Sequence, residues 1–365
     1  MGYSTIFQGE TRRLDILDMN GKVDRKAMPD IDQDQLMALY RSMRRMRTFD
    51  EKALKMQRQG RIGTYGSLRG QEAAQAGLAV HLSEDDDWLI QSFREHGILM
   101  ARGVPMHTIY AYWKGDERGN LADRGIRCLP PSVPVGSQLL HATGIGIGLR
   151  KRGLPGIAVG FAGDGATSEG DFHEALNFAG VFRARTLFYI QNNGWAISVP
   201  FQKQTAAKTI AQRGHAYAVP AMQVDGNDVL AVYEASRIAT DHIRNNHGPY
   251  LIEAETFRMG DHTTADDHTR YRSPDLVAHW AARDPIDRMR KFLIKEKILS
   301  HADDEAMGES LTAEIEAAVK DLESMPPPDP MSIFETMYAK KPWYLEEQQA
   351  MLRSELGSRA QESGS

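Results

Sequence analysis

Asp164, set between Gly163 and Gly165, and Asn193, which closes the pair Asn192-Asn193, are the residues whose types and spacing most plainly offer chemistry. A carboxylate and a carboxamide are hard oxygen ligands. They suit Mg2+, which keeps an octahedral shell and shares it with substrate phosphate. Gly165, Ala166 and Thr167 open a stretch of helical spacing, and a helix N-terminus favours a phosphate anion. Together these residues ask for a metal-bridged diphosphate. Either piece alone is ordinary turn chemistry. Their joint placement in one strand–helix–strand unit carries the argument.

The elements that must position them follow from hydrophobic patterning. Gly156–Phe161 and Leu187–Ile190 are apolar runs that end in glycine or asparagine and read as buried strands. Between them Phe172, Ala175, Leu176 and Ala179 recur at helical spacing. Such a crossover is right-handed and joins parallel strands. If the strands are neighbours, Asp164 and Asn193 meet in the crevice at their carboxyl ends, where open α/β sheets bind ligands. A second unit runs through strand 221–224, helix 229–243 and strand 250–254. The fold class is therefore α/β, a mostly parallel sheet with helices on both faces and helical N- and C-terminal extensions.

Residues 1–30 lack periodicity and read as an extended arm. Leu36, Leu39, Tyr40, Met43, Met46 and Ala53 mark a helix over 33–58, its methionines serving core or subunit interface. A second helix covers 72–81. Asp85-Asp86-Asp87 reads as a solvated turn before the buried run Trp88-Leu89-Ile90. Residues 114–136 form a long loop, of the kind that carries function or disorder. Gly144, Gly146 and Gly148 lack the dinucleotide spacing and read as close-packing positions. Residues 257–273 are polar and read as a mobile loop. Helices follow at 275–296 and 311–323. Pro326-Pro327-Pro328 breaks the chain, a short tail closes it, and Gln361–Ser365 read as disordered. The domain division is an arm over 1–32, a cofactor domain over 33–300 and a helical extension with tail over 301–365.

The 365 residues carry 44 Lys and Arg against 49 Asp and Glu, a net charge of -5, with the signs interspersed. Nothing favours nucleic acid or an anionic membrane as partner. The single cysteine, Cys128, rules out a disulfide framework and suits a reducing cytoplasm. The first residues lack a signal-peptide core, no run reaches transmembrane length, and Ile6 stands where myristoylation wants Ser or Thr. A P-loop is absent, and His173-Glu174 does not begin a zinc-protease motif. The missing dinucleotide fingerprint argues against a nicotinamide oxidoreductase.

GDGATSEGDFHEALNFAG followed by QNNGWAIS resembles the thiamine-diphosphate motif of the alpha subunits of 2-oxo acid dehydrogenase complexes. The resemblance extends from about Leu36 to about Leu293 through RGQEAAQAG (69–77), SFREHG (92–97), VPVGSQ (133–138), VDGNDVLAVYEA (224–235) and MGDHTTADDHTRYRS (259–273). It implies a thiamine-diphosphate-binding fold, thiamine diphosphate and Mg2+ as cofactors, and a beta subunit as partner in an assembly of two alpha and two beta chains. It also implies oxidative decarboxylation of a small 2-oxo acid and acylation of the lipoyl domain of a dihydrolipoyl acyltransferase. Pyruvate is the first substrate expectation. The branched-chain 2-oxo acid enzyme and acetoin dehydrogenase are alternatives, and a catalytically inert scaffold of the same fold is the reading outside the enzymes.

By this resemblance Asp164, Asn193 and the Trp195 carbonyl ligate Mg2+, while Gly163, Gly165 and Ala166 line the diphosphate. Arg94 grips the diphosphate, a task for a planar, permanently charged fork. Phe93 replaces a tyrosine often found beside that arginine. Val133 and Val135 support the aminopyrimidine. Ser132, Ser137 and Gln138 resemble a K+ site. His262 is the expected catalytic residue, since an imidazole changes charge near neutral pH, and His268 is its decoy. Thr263 stands where animal relatives carry a regulated serine. The carboxylate needed near the pyrimidine ring has no candidate in this chain, so the isolated polypeptide is expected to be inactive.

Overall fold

The computed structural model describes residues 2–120, 125–131, 133–335 and 337–362. Met1–Leu322 form one unit and Glu323–Ser365 another. In the first unit β1 (Arg12–Leu14), α1 (Gln33–Arg58) and α2 (Glu72–Ala79) lead to β2 (Trp88–Ile90). Next come α3 (His96–Ala101), α4 (Met106–Lys114), α5 (Ser137–Lys151) and β3 (Ala158–Gly163), which α6 (Gly170–Phe182) joins to β4 (Thr186–Asn192). A small antiparallel hairpin of β5 (Trp195–Ala196) and β6 (Val199–Pro200) runs into α7 (Phe201–Gln204). Then follow β7 (Ala221–Asp225), α8 (Val229–Arg244), β8 (Tyr250–Glu255), α9 (Pro274–Ala281), α10 (Pro285–Lys295) and α11 (His301–Ser324). The second unit contains a 3-10 turn over Pro330–Phe334 and α12 (Trp343–Glu362).

The sheet is six-stranded and parallel throughout, in the order β1-β7-β8-β4-β3-β2. Every residue of β4 is buried, as a strand covered on both faces requires. Successive side chains take opposite faces. Phe188 and Ile190 join a core with Phe172, Leu176 and Ala179 of α6 and Leu139 of α5. Tyr189, between them, donates its hydroxyl at 2.6 Å to the Ala74 carbonyl of α2. β3 and β4 are neighbours with Gly163 opposite Gln191, so their carboxyl ends lie side by side.

α1 follows its expected bounds. Asp32 caps it by accepting from the Gln35 N–H, and Gln35 reciprocates. Met43, Met46 and Met56 are core residues. Several expectations change. The arm adds β1 to the sheet edge beside β7, and the Ile16 and Leu17 N–H groups donate to buried Asp228. Asp87 is not solvated: it is wholly buried, accepting from the Ile157 N–H at 2.8 Å and from Arg244 at 2.7 Å. Of the three α5 glycines only Gly146 is packed, since a Cβ there would lie 2.1 Å from Thr186 Oγ1, whereas Gly144 and Gly148 meet nothing within 4 Å. The expected helix 275–296 divides because Asp284 caps a new helix with Pro285 in its first turn. The helix expected at 311 begins at His301, and the tail holds α12, which includes Gln361. The long loop contains a 3-10 turn over Glu117–Asn120 and pairs Cys128 with Leu89. Residues 121–124, Ser132 and 363–365 lie outside the described residues.

Candidate active site

Asp164 follows the last residue of β3 and Asn193 the last of β4. The chain enters a 3-10 turn at Asp164, closed by Thr167 Oγ1 donating to the Asp164 carbonyl at 2.8 Å. After Asn193, Gly194 turns with φ of 80°, a left-handed conformation that glycine adopts without steric cost. The two turns touch: a Cβ on Gly165 would come within 2.8 Å of the Ala196 Cβ.

Asp164 is 1% exposed. Its Oδ2 accepts from Gln204 Nε2 at 2.7 Å, while Oδ1 is buried with no partner. Burial raises its pKa, against the lowering influence of Gln204, nearby backbone N–H groups including that of Asn193, and Arg258. Asn193 Oδ1 accepts the Trp195 N–H at 3.3 Å. A buried carboxylate oxygen without a partner is costly, and a cation is the ligand that relieves it. Among the described residues no group of three or more His, Cys, Asp or Glu could hold a metal. A cation here would find the Asp164 carboxylate and the Asn193 amide, hard oxygens that suit Mg2+ once phosphate and water complete the shell.

Asp164 and Asn193 open on a cavity of about 280 Å³. Phe93, Arg94, Val133, Val135, Gly163, Gly165, Ala166, Trp195 and His262 line it as well. Of the expected K+ residues, Gln138 lines it with Oε1 unpartnered, while its Nε2 donates to the Phe161 carbonyl at 3.0 Å. Ser137 is not among its lining residues and donates to the Pro134 carbonyl at 2.8 Å. Ser132 is not described. A larger groove of about 890 Å³ lies beneath the N-terminal arm. Two of its arginines face carboxylates within it, Arg13 with Asp15 and Arg288 with Asp225.

Cationic charge gathers around the smaller cavity. The Arg94 guanidinium is buried; it donates to the Ser67 carbonyl and to the His262 carbonyl, the latter at 3.0 Å, and stands 3.4 Å from His262 Nδ1. Burial, then Arg258, push its pKa down to about 10. It stays charged at neutral pH. Arg258 is wholly buried, with Nε and Nη1 lacking hydrogen-bond partners and Asp266 3.7 Å away. Arg272 braces the Arg258 carbonyl at 2.6 Å, and its pKa is likewise lowered to about 10 by burial and Arg258. Such a grouping favours a multivalent anion.

Residues 257–273, expected to be a mobile loop, are tied down by these arginines. The Tyr271 hydroxyl donates to Asp266, which also accepts the His262 N–H at 2.8 Å. Gly70 lets the loop approach, because a Cβ there would lie 2.2 Å from the Phe257 carbonyl. His262 meets Phe93 edge to face at 5.9 Å. Burial, then Arg94 and Arg258, lower its pKa to about 4, so the imidazole is neutral at pH 7 and does not titrate near neutrality as its type suggests. His268 instead pairs with Asp261. Phe93 offers no hydroxyl; the Arg94 guanidinium stands 5.0 Å over its ring.

Sequence reasoning missed several groups. Gln204 reaches Asp164 from a short helix without any motif. Gln71 Nε2 is buried and unpartnered on the cavity wall. Two further carboxylates line the cavity: Glu95, buried and saturated by Ser92, Arg94 and Gln191, and Glu169, exposed. A glutamine leaves little sequence signal, although Gln71 lies within the RGQEAAQAG block.

The fold is an open parallel α/β sheet with a polar cavity at its carboxyl ends, the place where such sheets bind ligands. The family described as "Dehydrogenase E1 component" matches residues 40–331. The chain belongs to that family. It is 43% identical over 336 residues to the 3-methyl-2-oxobutanoate dehydrogenase subunit alpha of Mycobacterium tuberculosis, covering 91% of this chain and 90% of the relative. It is 39% identical over 338 residues to the pyruvate dehydrogenase E1 component subunit alpha of Bacillus cereus, covering 92% and 91%. The Bacillus subtilis protein of the same name is 39% identical over 336 residues, covering 91% and 90%.

Proposed function

We propose that this chain is the alpha subunit of a 2-oxo acid dehydrogenase that holds thiamine diphosphate through Mg2+ and works with a beta subunit. The observation that carries the reading is the unpartnered, buried Asp164 Oδ1 on the same cavity as Arg94, whose guanidinium makes no direct ion pair with a carboxylate among the described residues. Family membership supports the cofactor. Asp164, Asn193 and the Trp195 carbonyl would ligate Mg2+. Gly163, Gly165, Ala166 and Arg94 would hold the diphosphate. Val133, Val135 and Phe93 supply apolar surface for the organic part. Gln138 and Ser137, with Ser132, remain the proposed K+ ligands; equal cofactor affinity in sodium and potassium buffers would count against them.

When bound, thiamine diphosphate supplies the decarboxylation of the 2-oxo acid and the transfer of the acyl group to a lipoyl arm. The protein's residues bind, orient and exclude water. His262, its backbone N–H held by Asp266 and its Nδ1 3.4 Å from Arg94, lines the cavity and would take or give a proton there. Glu95 is saturated and Glu169 is exposed, so neither meets the need for a carboxylate near the pyrimidine ring. That group belongs to the beta subunit in this reading.

Pyruvate is the proposed substrate, with the Bacillus relatives as support. The Mycobacterium tuberculosis relative supports a second reading, a branched-chain 2-oxo acid. Co-expression with the beta subunit and a panel of 2-oxo acids decides between them. The lone chain is expected to be inactive. Substantial decarboxylation without a partner overturns the two-subunit reading.

A further inference from the structure

Gln204 closes the loop that begins at Asn193. Its Nε2 donates to Asp164 Oδ2 at 2.7 Å and to the Val199 carbonyl at 3.1 Å. Those two acceptors set the amide's orientation, because the flipped form would place Oε1 against a carboxylate and a carbonyl. Two oxygens are consequently left buried without partners, Asp164 Oδ1 and Gln204 Oε1. The loop is short and internally closed, with the Phe201 N–H donating to the Gly194 carbonyl at 2.9 Å. It carries both Asn193 and Trp195, while Asp164 belongs to the turn after β3. Among the described residues Gln204 supplies the side-chain hydrogen bond to the Asp164 carboxylate.

We infer that Gln204 is a positioning residue: it fastens the loop bearing Asn193 and Trp195 to Asp164 before any cation arrives, and occupies Oδ2 so that Oδ1 is the oxygen offered to a divalent cation. The inference rests on the Mg2+–diphosphate reading above. A neutral donor is suited to this task. It orients the carboxylate without contributing a charge that competes with the cation. Partners of this kind commonly tune metal affinity by about 10- to 100-fold.

The test uses the co-expressed alpha–beta complex and its Gln204→Leu, Gln204→Glu and Asp164→Ala variants. MgCl2 is titrated calorimetrically at saturating thiamine diphosphate, and hydrogen exchange of residues 194–204 is followed in the cofactor-free complex. Gln204→Leu is expected to weaken Mg2+ binding about 10- to 100-fold, with excess Mg2+ restoring cofactor uptake. Exchange is expected to rise in 194–204 while the rest of the sheet keeps its protection. Gln204→Glu is expected to raise exchange in 194–204 at least as much as Gln204→Leu in the cofactor-free complex, because a second carboxylate repels Asp164. Mg2+ affinity within twofold of wild type in Gln204→Leu, or loss of protection throughout the sheet, overturns the positioning role. If Asp164→Ala still abolishes Mg2+-dependent uptake in that case, the cofactor reading stands and only the role of Gln204 falls. Cofactor uptake by the wild type without Mg2+ dependence brings both down.

Discussion

Two groups of buried or half-buried arginines lie at opposite ends of the same sheet. At the amino ends, Arg185 donates to the Gly156 carbonyl at 2.8 Å, to Asn246 Oδ1 at 2.6 Å and to the Pro155 carbonyl, and Arg244 pairs with Asp87 at 2.7 Å. At the carboxyl ends, Arg258 and Arg272 each keep two buried nitrogens without hydrogen-bond partners, and the Arg94 guanidinium donates to two carbonyls and makes no direct ion pair among the described residues. Residue type is alike, and Arg185 is as buried as Arg94 and Arg272. Satisfaction differs. The first group closes the sheet; the second holds charge ready for an anion. Buried polar groups left unpaired call for an explanation, and here Arg258 and Arg272 stand behind Ile197 and Trp195, two residues of the wall of the cavity that also holds the free oxygen of Asp164.

Substitutions at the two ends should therefore fail in different ways. The largest effect is expected for Asp164→Ala, which removes a hard ligand and its charge: Mg2+-dependent binding of thiamine diphosphate disappears in calorimetry while the urea midpoint changes little. Asp87→Ala should do the reverse. It leaves Arg244 and the Ile157 N–H without their carboxylate and should cost about 3–5 kcal/mol in urea unfolding, with cofactor affinity of the folded fraction retained. His262→Ala is expected to leave cofactor affinity nearly intact and to slow lipoyl acylation by about 100-fold in single-turnover assays. Unchanged acylation would reject its role. Arg94→Gln should weaken cofactor binding by about 1.5 kcal/mol, roughly tenfold, whereas Arg185→Gln should lower stability alone.

The smallest effect concerns pH. Burial holds His81 and His262 down to about 4 and His96 to about 3. The unfolded chain takes up these protons first, so stability is complete above about pH 6.5 and is lost as pH falls towards 4. Denaturant midpoints across that window check the sign. Binding of the diphosphate should raise the His262 value, because the anion offsets the arginines that lower it. An NMR titration follows that shift, while His81, away from the cavity, should not move.

Much of the sheet was legible in the sequence because parallel strands buried on both faces leave unbroken apolar runs. The positions of Asp164 and Asn193 follow from the crossover, which makes β3 and β4 neighbours. β1 was not legible: three residues, Arg12, Arg13 and Leu14, add an edge strand whose pairing is set by β7 and by Asp228 rather than by their own pattern. Asp87 looked like a solvated turn because an acidic triplet says nothing of a distant Arg244. The polar stretch 257–273 looked free for the same reason: its order comes from Arg258, Asp266, Tyr271 and Arg272 closing on one another, which no periodicity records. At the site, motif residues were visible and their supports, Gln204 and Gln71, were not, since an amide acquires meaning only from what it faces.

The central claim is that Asp164 and Asn193 clasp a divalent cation that tethers the diphosphate. Anomalous diffraction from the alpha–beta complex soaked with thiamine diphosphate and Mn2+ in place of Mg2+ tests it most directly. The expected result is one Mn2+ peak bonded to Asp164 Oδ1, Asn193 and the Trp195 carbonyl, with phosphate oxygens completing the shell beside Arg94. Cofactor density in the cavity with no metal at those oxygens, or a Mn2+ peak elsewhere, would contradict it.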